Sequence, residues 1–414
     1  MDIKEPKNIV IIGGSIAGLM TGLILARLPA SHTITILESR PAAALQSQAA
    51  GLGLGNHALA LMQTIIPTVE EFAVRRGVMQ FIGKEGKVVA ERDLGIEHAT
   101  SSWGVVYRIL RREVEGLGGV YREGWKVTNL RREEEDAKVV VTCSKASGGD
   151  DGGEGKHEEE EMVADMVIVA SGAYSHFRKM FDRKESEYAG FLLWRGSVPE
   201  SKLPVEMAGA REHKFLFSMV KDSYCLGYLA PNSSGSLEPG QRSFEWAHYD
   251  YCPSSSPEFK QAMTDIHSHT HAQTVSRGLL NPDVWHTRIT RAHAILPSPW
   301  AKIAELTEGP LVSAISSSLD TKALYWDNTV LFVGEAYTQF RPHLGLGSNL
   351  AAFQALRLGE AMAGEMEGGL EEWERVCGEF ASVFAEHSAA MGVRGLTGAW
   401  PEGYVPVVDH LEGV

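Results

Sequence analysis

The chain has 414 residues, 44% of them hydrophobic and 22% charged, and its formal net charge is −14. Such a length holds one large domain or two ordinary ones. An acidic chain repels nucleic acid and anionic membranes, so no nucleic-acid partner is expected. No apolar run reaches the roughly 18 residues that a membrane span needs, so no integral membrane segment is expected either.

The four cysteines are scattered along the chain, and no two of them stand in a Cys-x-x-Cys pair. This spacing argues against a disulfide framework and against a zinc site. Free cysteines suit a reducing compartment, and no signal peptide is visible at the N-terminus. The sequence therefore predicts a cytoplasmic protein.

The first 38 residues predict a strand, a helix and a second strand. Residues 8–12 are a short apolar run, and residues 15–28 carry apolar residues at helical spacing up to Pro29. Residues 33–37 form a second apolar run, which ends at Glu38. Together these segments indicate a βαβ unit of about 30 residues.

A glycine-rich turn joins the first strand of this unit to its helix. Glycine at the first position permits a tight turn, a small residue at the third lets a pyrophosphate approach, and glycine at the sixth allows close packing of helix and strand. The free N–H groups of the helix would bind phosphate, and a carboxylate after the second strand would accept ribose hydroxyls. A glycine turn without a ligand is the alternative, and the pattern does not distinguish FAD from NAD. The predicted nucleotide-binding residues are Gly13, Gly14, Ser15, Ile16, Ala17, Gly18 and Glu38.

The next segments alternate between helix, strand and loop. Residues 102–118 predict a helix, and residues 138–142 and 165–170 predict strands. Between these strands, residues 148–161 are rich in glycine and acidic residues and have nothing to bury, so we expect a disordered hairpin tip. The Gly51–Gly55 run is interpreted as a loop.

From Phe191 to Tyr249 the pattern changes to the alternation of an antiparallel sheet with an aromatic face. Residues 329–333 predict a buried strand, and a long helix is expected from Ser348 to Glu367, ending at Gly368. The residues that share one side of their strands are His213, Phe215 and Phe217, then Tyr224, Leu226 and Tyr228, and then Phe244, Trp246 and His248.

Four further segments, in this order, carry a resemblance to a known family. They are Ser102–Arg111 (SWGVVYRILR), Asp165–Arg178 (DMVIVASGAYSHFR), Tyr188–Glu200 (YAGFLLWRGSVPE) and Thr329–Asn349, which contains VGEA and RPHLGLGSN. Together they resemble the FAD-dependent aromatic-ring monooxygenases of the para-hydroxybenzoate hydroxylase type, and most of all the 2,6-dihydroxypyridine 3-monooxygenase-like branch. The resemblance covers roughly residues 7–395.

The resemblance implies FAD as the cofactor and assigns roles to individual residues. Arg108 would reach the flavin side, Glu335 would bind the ribityl chain, and the turn from Pro342 would place N–H groups under the flavin pyrimidine edge. Two positions depart from the family pattern, since Ser171-Gly172 replaces Asp-Gly and Gly334-Glu335 replaces Gly-Asp. The further cofactor-binding residues carried over are Ser39, Arg40, Arg108, Val127, Ser171, Gly334, Glu335, Pro342, Gly345, Leu346, Gly347, Ser348 and Asn349.

The fold implied is α/β, with a discontinuous Rossmann-like FAD-binding domain, an inserted antiparallel β-sheet substrate domain and C-terminal helices. We expect the FAD-binding domain to comprise residues 1–185 and 300–395, the substrate domain residues 186–299, and a C-terminal tail residues 396–414.

The activity implied is a monooxygenase reaction. NADPH or NADH would act as transient reductant, and dioxygen would react by way of a flavin hydroperoxide to hydroxylate a small aromatic, heteroaromatic or enol-like substrate. The two altered positions motivate an alternative, a FAD-dependent dehydrogenase or a non-redox isomerase or cyclase. A non-enzymatic FAD-binding scaffold is a third hypothesis, and the retained Pro342, Gly345 and Gly347 argue against it. A homodimer is left open.

A substrate hydroxyl reacts faster when deprotonated, and histidine is the natural base near neutral pH. His213, His248 and His343 are the candidates, with a merely hydrogen-bonded wall histidine as the alternative for each. Aromatic substrate contacts are predicted from Phe215, Phe217, Tyr224 and Tyr228. The alternating His267, His269 and His271 near Asp265 have the composition of a zinc site, but the resemblance implies no metal there.

Overall fold

The computed structural model describes residues 5–41, 50–133, 137–145 and 159–405, and within these ranges all side chains except those of residues 94 and 96. The strands are β1 Asn8–Ile12, β2 Thr33–Glu38, β3 Gly51–Leu54, β4 Val74–Ile82, β5 Val88–Ser102, β6 Val120–Glu123, β7 Trp125–Glu133, β8 Lys138–Lys145, β9 Glu159–Ala164, β10 Met166–Val169, β11 Glu187–Pro199, β12 Phe215–Val220, β13 Ser223–Ala230, β14 Ser243–Tyr251, β15 Thr274–Val275, β16 Leu311–Ser317, β17 Leu324–Tyr325 and β18 Val330–Phe332.

The α-helices, numbered here in chain order, are α1 Ile16–Ala26, α2 Asn56–Gln63, α3 Trp103–Gly116, α4 His176–Met180, α5 Ala208–Arg211, α6 Pro257–Ala262, α7 Pro282–Ile295, α8 Ser298–Leu306, α9 Gly347–Ala363 and α10 Gly369–Thr397. Short 3₁₀ turns cover Val69–Glu71, Glu200–Lys202, Val205–Met207, Gly334–Ala336 and Pro342–Leu344.

A six-stranded sheet in the order β17-β18-β10-β1-β2-β6 forms the first layer. Its strands are parallel except for the β17–β18 pair. Parallel strands covered on both faces read as continuous apolar runs, and β1 and β10 are buried throughout their central residues. The predicted βαβ unit is therefore confirmed, with α1 packed between this sheet and α9.

A nine-stranded sheet in the order β15-β16-β11-β14-β13-β12-β4-β5-β3 forms the second layer. Neighbouring strands are antiparallel except for β12 and β4. The expected aromatic antiparallel sheet is thus present, and three of its strands come from residues 51–102, before the predicted substrate segment. The division of the chain at residues 185 and 300 stays a prediction.

The predicted α/β fold class is confirmed, while four local expectations are wrong. The Gly51–Gly55 run forms strand β3 because it pairs with β5. The long helix ends at Ala363, since Gly364 has a left-handed φ of 74°. His213 precedes β12 in a turn with a φ of 63°.

The fourth wrong expectation concerns the acidic segment 148–161. Residues 159–161 belong to β9, which pairs with β8 in a three-stranded sheet with β7. Residues 148–158 lie outside the described part of the chain. Among the described residues, no helix has both the length and the apolar character that crossing a membrane requires.

Candidate cofactor and substrate site

The turn between β1 and α1 needs glycine for reasons of packing. Gly13 has a φ of 104°, and a β-carbon there would lie 2.5 Å from the Ala170 carbonyl oxygen. A β-carbon on Gly18 would lie 2.0 Å from the Gly13 carbonyl oxygen, so only glycine lets α1 approach the turn. Ser15 precedes α1 and makes no side-chain cap, which leaves the first N–H groups of the helix without a side-chain acceptor.

Glu38 closes the other side of this turn. Its side chain is buried, one carboxylate oxygen accepts the Gly14 N–H at 2.9 Å, and the other accepts the Arg40 N–H at 2.9 Å. The Ser39 hydroxyl lies 3.3 Å from the same carboxylate. The carboxylate therefore stands beside the glycine turn, where the sequence predicted it.

The second helix N-terminus of the site belongs to α9. Ala17 in α1 lies close to Gly334. A β-carbon added to Gly334 would be only 2.6 Å from the Ala17 β-carbon. Glu335 follows at once, and its Oε1 lies 3.9 Å from the position of a β-carbon on Gly347, the first residue of α9. Two segments separated by about 300 residues in sequence thus meet at one recess.

Glu335 is accessible to solvent, yet burial within the recess raises the pKa of its carboxyl. It has no hydrogen-bond or ion-pair partner among the described residues. A carboxylate in this place, with no described protein partner, is able to accept hydrogen bonds from the hydroxyl groups of a ligand.

The turn from Pro342 to Asn349 packs on strand β3. The Gly345 carbonyl oxygen lies 3.2 Å from the position of a β-carbon on Gly53, and the Ser348 hydroxyl donates to the Gly53 carbonyl. Asn349 accepts the N–H groups of His57 and Ala58 at 3.0 and 3.2 Å, at the start of α2. Side chains larger than hydrogen at Gly53 would push this turn away.

These features fit FAD. The starts of α1 and α9 both lack a side-chain cap and can face anionic groups of a ligand. Glu38 and Glu335 offer carboxylate acceptors for the hydroxyls of a ribose and of a ribityl chain. Gly345 and Gly347 are exposed in the recess, where their backbone can approach a flat ring closely.

One face of the nine-stranded sheet forms the second half of the site. Across β13 and β14, Tyr224 pairs with Tyr249 and Tyr228 pairs with Glu245, so these four side chains share one face. Arg195 pairs with Ala247 and therefore lies on the same face.

Glu245 and Tyr228 lie against Gly51, the first residue of β3. A β-carbon on Gly51 would lie 2.5 Å from the Tyr228 hydroxyl and 2.9 Å from the Glu245 Cγ. Burial raises the pKa of Glu245 to about 7, although Arg277, Arg195 and a hydrogen bond from the Gly51 backbone act in the opposite direction. Glu245 is thus a buried carboxyl that titrates near neutral pH.

His98 and Phe215 line the same region further along β3. The His98 Nε2 lies 3.3 Å from the position of a β-carbon on Gly53, and its ring meets Phe215 edge-on at 5.1 Å. Phe215 meets the Tyr228 ring at 5.4 Å. Burial, and then the neighbouring Arg76, lowers the pKa of His98 to about 4, so His98 is neutral at physiological pH.

Comparison with known proteins gives the same architecture. A family model described as FAD binding domain-like matches residues 188–317. The chain is 24% identical over 213 residues to a 2,6-dihydroxypyridine 3-monooxygenase of Paenarthrobacter nicotinovorans, which covers 51% of this chain and 52% of that protein. The chain thus spans about half the length of this curated relative.

Two solved structures share the fold over nearly the whole chain. The 2,6-dihydroxypyridine-3-hydroxylase from Arthrobacter nicotinovorans superposes with a TM-score of 0.80 at 20% identity, over 97% of this chain and 96% of that one. The probable FAD-dependent monooxygenase PqsL from Pseudomonas aeruginosa gives 0.67 at 15% identity, over 95% and 97%. The fold is that of the FAD-dependent monooxygenases. The predicted resemblance is confirmed, and the FAD cofactor that it implied agrees with the family model.

The three histidines predicted as candidate bases, His213, His248 and His343, lie in three different environments in the structure. His248 lies on the face of β14 opposite to Glu245, buried against Arg288 beside Asp250. Burial and Arg288 hold the pKa of His248 well below its usual value. His248 therefore faces α7 and not the recess, which is a correction that follows from the register.

His213 and His343 are also held by protein partners. His213 is exposed, and its Nε2 lies 3.1 Å from Arg242. The His343 Nδ1 pairs with the Tyr224 hydroxyl, and its Nε2 faces Gly392 of α10. Burial, and then Arg341, lowers the pKa of His343 to about 3. We interpret His343 as an anchor of the Pro342 turn on the sheet.

The remaining predicted residues fall into three environments. Phe217 lies beside Phe81 on the site face. Val127 is buried in the core next to the six-stranded sheet. Ser171 is exposed next to Gly13 and donates to the Ser175 hydroxyl at 2.7 Å.

The contacts of Arg108 and of the histidine run involve other residues than those described above. The Arg108 guanidinium lies 3.2 Å from the position of a β-carbon on Gly235. Asp265 accepts the N–H groups of His267 and His269 and pairs with His271 at 2.8 Å. Within the described ranges, no group of three or more metal-ligating side chains is present.

Sequence reasoning missed two sets of residues. Arg178 donates to the Ala336 carbonyl at 2.7 Å and pairs with Asp320 at 3.1 Å, so it holds the turn that carries Glu335. Arg195 and Glu245 are the charged members of the substrate face. A signal existed for these two, because each is a charged residue that directly follows a buried aromatic residue inside a strand, Trp194 before Arg195 and Phe244 before Glu245.

Proposed function

We propose that the chain is a FAD-dependent monooxygenase that uses NAD(P)H and dioxygen to hydroxylate a small aromatic, heteroaromatic or enol-like substrate. The observation that carries this proposal is the junction at β3. Gly53 contacts the turn that precedes α9, and Gly51, on the same side of the strand, contacts Tyr228 and Glu245. A cofactor site and a polar aromatic pocket therefore share one strand.

Bound FAD supplies the redox chemistry, since it accepts a hydride from a nicotinamide and passes one oxygen atom from dioxygen to the substrate. The chain supplies binding, orientation and protection from water. Phe215, Phe217 and Tyr228 provide an aromatic wall against which a planar ring can lie. The same wall excludes water from the site, which limits side reactions before oxygen reaches the substrate.

The reductant docks transiently in this proposal. The sequence contains a single dinucleotide fingerprint, at Gly13–Gly18, and the first turn of α1 is committed to FAD. NADPH and NADH are both compatible with this arrangement, and dioxygen needs no dedicated side chain.

The substrate class follows from the polarity of the pocket. Glu245 and His98 accept protons or hydrogen bonds, while the Tyr228 hydroxyl can donate one. A ring with hydroxyl or N–H groups satisfies these side chains, whereas a purely apolar ring leaves the Glu245 carboxyl buried and unpaired. We therefore expect hydroxylated or lactam-type rings.

The test is to purify the protein, identify the released flavin by chromatography, and screen hydroxylated aromatic and heteroaromatic compounds for stimulated NAD(P)H oxidation with dioxygen consumption. We expect FAD and slow oxidation that accelerates with the right ring. FMN, or no flavin after saturation with FAD, would contradict the cofactor assignment. Flavin that no nicotinamide reduces would favour an isomerase or cyclase, and reduction without oxygen transfer would favour a dehydrogenase.

A cytoplasmic location and a homodimer are part of the same proposal. All four cysteines are buried and unpaired, which suits a reducing compartment. Sedimentation of the FAD-loaded protein checks the homodimer, and a monomer across the working concentration range would contradict it.

A further inference from the structure

Glu245 is the carboxyl group of the described residues that is placed most directly against the substrate face. Its side chain is 8% exposed and lies on β14 opposite Tyr228 of β13. None of the ion pairs within 4.0 Å among the described residues involves Glu245. Buried carboxylates are usually paired with a charged group, whereas the protein contact of Glu245 is a hydrogen bond from the Gly51 backbone, so Glu245 is a functional candidate.

The surroundings of Glu245 are polar but do not neutralise it. Arg195 on β11 and Arg277 after β15 act on it electrostatically, and Tyr228 lies directly opposite it on β13. The facing strand β3 contributes only the backbone of Gly51.

A further titratable side chain, His98, faces Gly53, the next position on this side of β3. Burial, and then the charge of Arg76, keeps His98 neutral. A neutral His98 with a pKa of about 4 is a poor proton acceptor near pH 7, whereas a carboxyl with a pKa of about 7 matches the working pH.

We propose that Glu245 is the general base of the site, taking the proton of a ring hydroxyl or ring N–H of the substrate while the Tyr228 hydroxyl donates a hydrogen bond to the same ring. This inference rests on the proposed function. In the step, the substrate O–H or N–H bond breaks and an O–H bond forms on a Glu245 oxygen. The electron pair stays on the substrate and enriches the ring carbon that receives oxygen, and nothing is oxidised or reduced.

The direction of the pH dependence follows. Only ionised Glu245 can accept a proton, so kcat/KM rises as pH increases through the pKa of about 7 and reaches a plateau above it.

The experiment compares FAD-loaded wild type, Glu245→Gln, Glu245→Asp and Asp250→Asn. Asp250 is a matched control, because it is a buried carboxylate on the same strand that faces the opposite side and pairs with Arg288 at 2.7 Å. The probe is 2,6-dihydroxypyridine, with pyridine as the ring that lacks hydroxyls. Affinity comes from the perturbation of the flavin spectrum, and kcat/KM comes from NAD(P)H oxidation across neutral pH. Melting temperature and flavin content are recorded for each protein.

For Glu245→Gln we expect a roughly ten- to a hundredfold loss of affinity for the hydroxylated probe and little change for pyridine. We also expect kcat/KM to fall by about 10²- to 10⁴-fold and its rise with pH to disappear. Glu245→Asp should keep the rise with pH at a lower plateau. Asp250→Asn should melt earlier but keep the pH profile of the wild type.

If Glu245→Gln matches the wild type in affinity and in pH profile, and both proteins turn over normally, the role of Glu245 is overturned but the proposed function stands. Loss of the rise with pH in Glu245→Asp or its loss in Asp250→Asn would overturn it too. If the wild type neither binds nor oxidises any hydroxylated ring, the proposed function fails together with the inference. Binding of the probe without turnover would count against the proposed function, while the affinity arm still decides the role of Glu245.

Discussion

The cofactor end and the substrate face of this protein are built in different ways. At the cofactor end, two continuous segments, Gly13–Glu38 and Gly334–Asn349, supply mainly backbone groups at the starts of α1 and α9. At the proposed substrate face, single side chains come from β5, β11, β12, β13 and β14. Backbone groups need a fixed local conformation, whereas a side-chain pocket needs only that several strands lie in register.

This difference has a consequence for tolerance to change. The cofactor end should be sensitive to added volume, because Gly13 and Gly18 are in contact with backbone atoms. The substrate face should tolerate changes in volume better but respond to changes in polarity. Substitutions that affect folding and binding differently test this difference between the two regions.

Gly18→Ala should have the largest effect. The new β-carbon would meet the Gly13 carbonyl oxygen at 2.0 Å, and backbone cannot move aside cheaply. We expect a loss of about 3 kcal/mol in the free energy of unfolding, at the upper end for overpacking, and loss of FAD. Gly77→Ala is the control, since nothing lies within 4 Å of its β-carbon position. Denaturant unfolding measures both variants, and equal stabilities would refute a glycine requirement at residue 18.

Glu335→Ala should lower FAD affinity with a smaller effect on folding. The carboxylate has no described protein partner, so its loss leaves cofactor hydroxyls unpaired at a cost of about 1–3 kcal/mol, or roughly ten- to a hundredfold in affinity. Glu335→Asp keeps the acceptor and should change the dissociation constant much less. Fluorescence titration with FAD compares the three proteins, and the same constant for wild type and Glu335→Ala would rule out the contact.

Tyr224→Phe should lower stability, whereas Tyr228→Phe, in the same strand, should lower substrate affinity. Tyr224 holds the Nδ1 of buried His343, so its hydroxyl should contribute about 1 kcal/mol to stability. Tyr228 lies half-buried at the pocket, and its hydroxyl should matter for affinity of a hydroxylated ring and leave the melting temperature close to that of the wild type. A larger fall in melting temperature for Tyr228→Phe than for Tyr224→Phe would reverse the assignment.

Shortening residues 148–158 to a glycine turn should have the smallest effect. Their composition cannot support a packed core, so melting temperature and flavin content should not change. Residues 159–161 must be kept because they pair with β8, and Glu160 also binds Arg122 at 2.6 Å. Loss of more than half of the activity would show that the segment contributes to function.

Local sequence was informative wherever one segment carries a whole feature. The βαβ unit, the strand Val330–Phe332 and the aromatic strands were all predicted, because hydrophobic period and glycine spacing act over short distances. Gly51–Gly55 was interpreted as a loop, since a glycine-rich strand has almost no local propensity and exists through its pairing with β5.

The residues of the substrate face could not be assembled in the same way. Alternation along β14 groups Phe244, Trp246 and His248 on one side but does not say which side meets the cofactor. Only the register with β13 shows that Glu245 and Tyr249 share a face with Tyr224 and Tyr228. The histidines predicted as bases are instead held by Arg242, Arg288 and Tyr224.

By itself the sequence determined the nucleotide-binding unit, the α/β class and the resemblance to flavin monooxygenases, because these depend on contiguous residues and their spacing. Tertiary structure alone decided that Ala17 meets Gly334, that β3 contacts both the Pro342 turn and the sheet, and that Glu245 shares a face with Tyr228 while His248 lies on the opposite face. The physical reason is that strand pairing and close backbone approach are long-range contacts. One residue of register exchanges the two faces of a strand without any change in its local pattern.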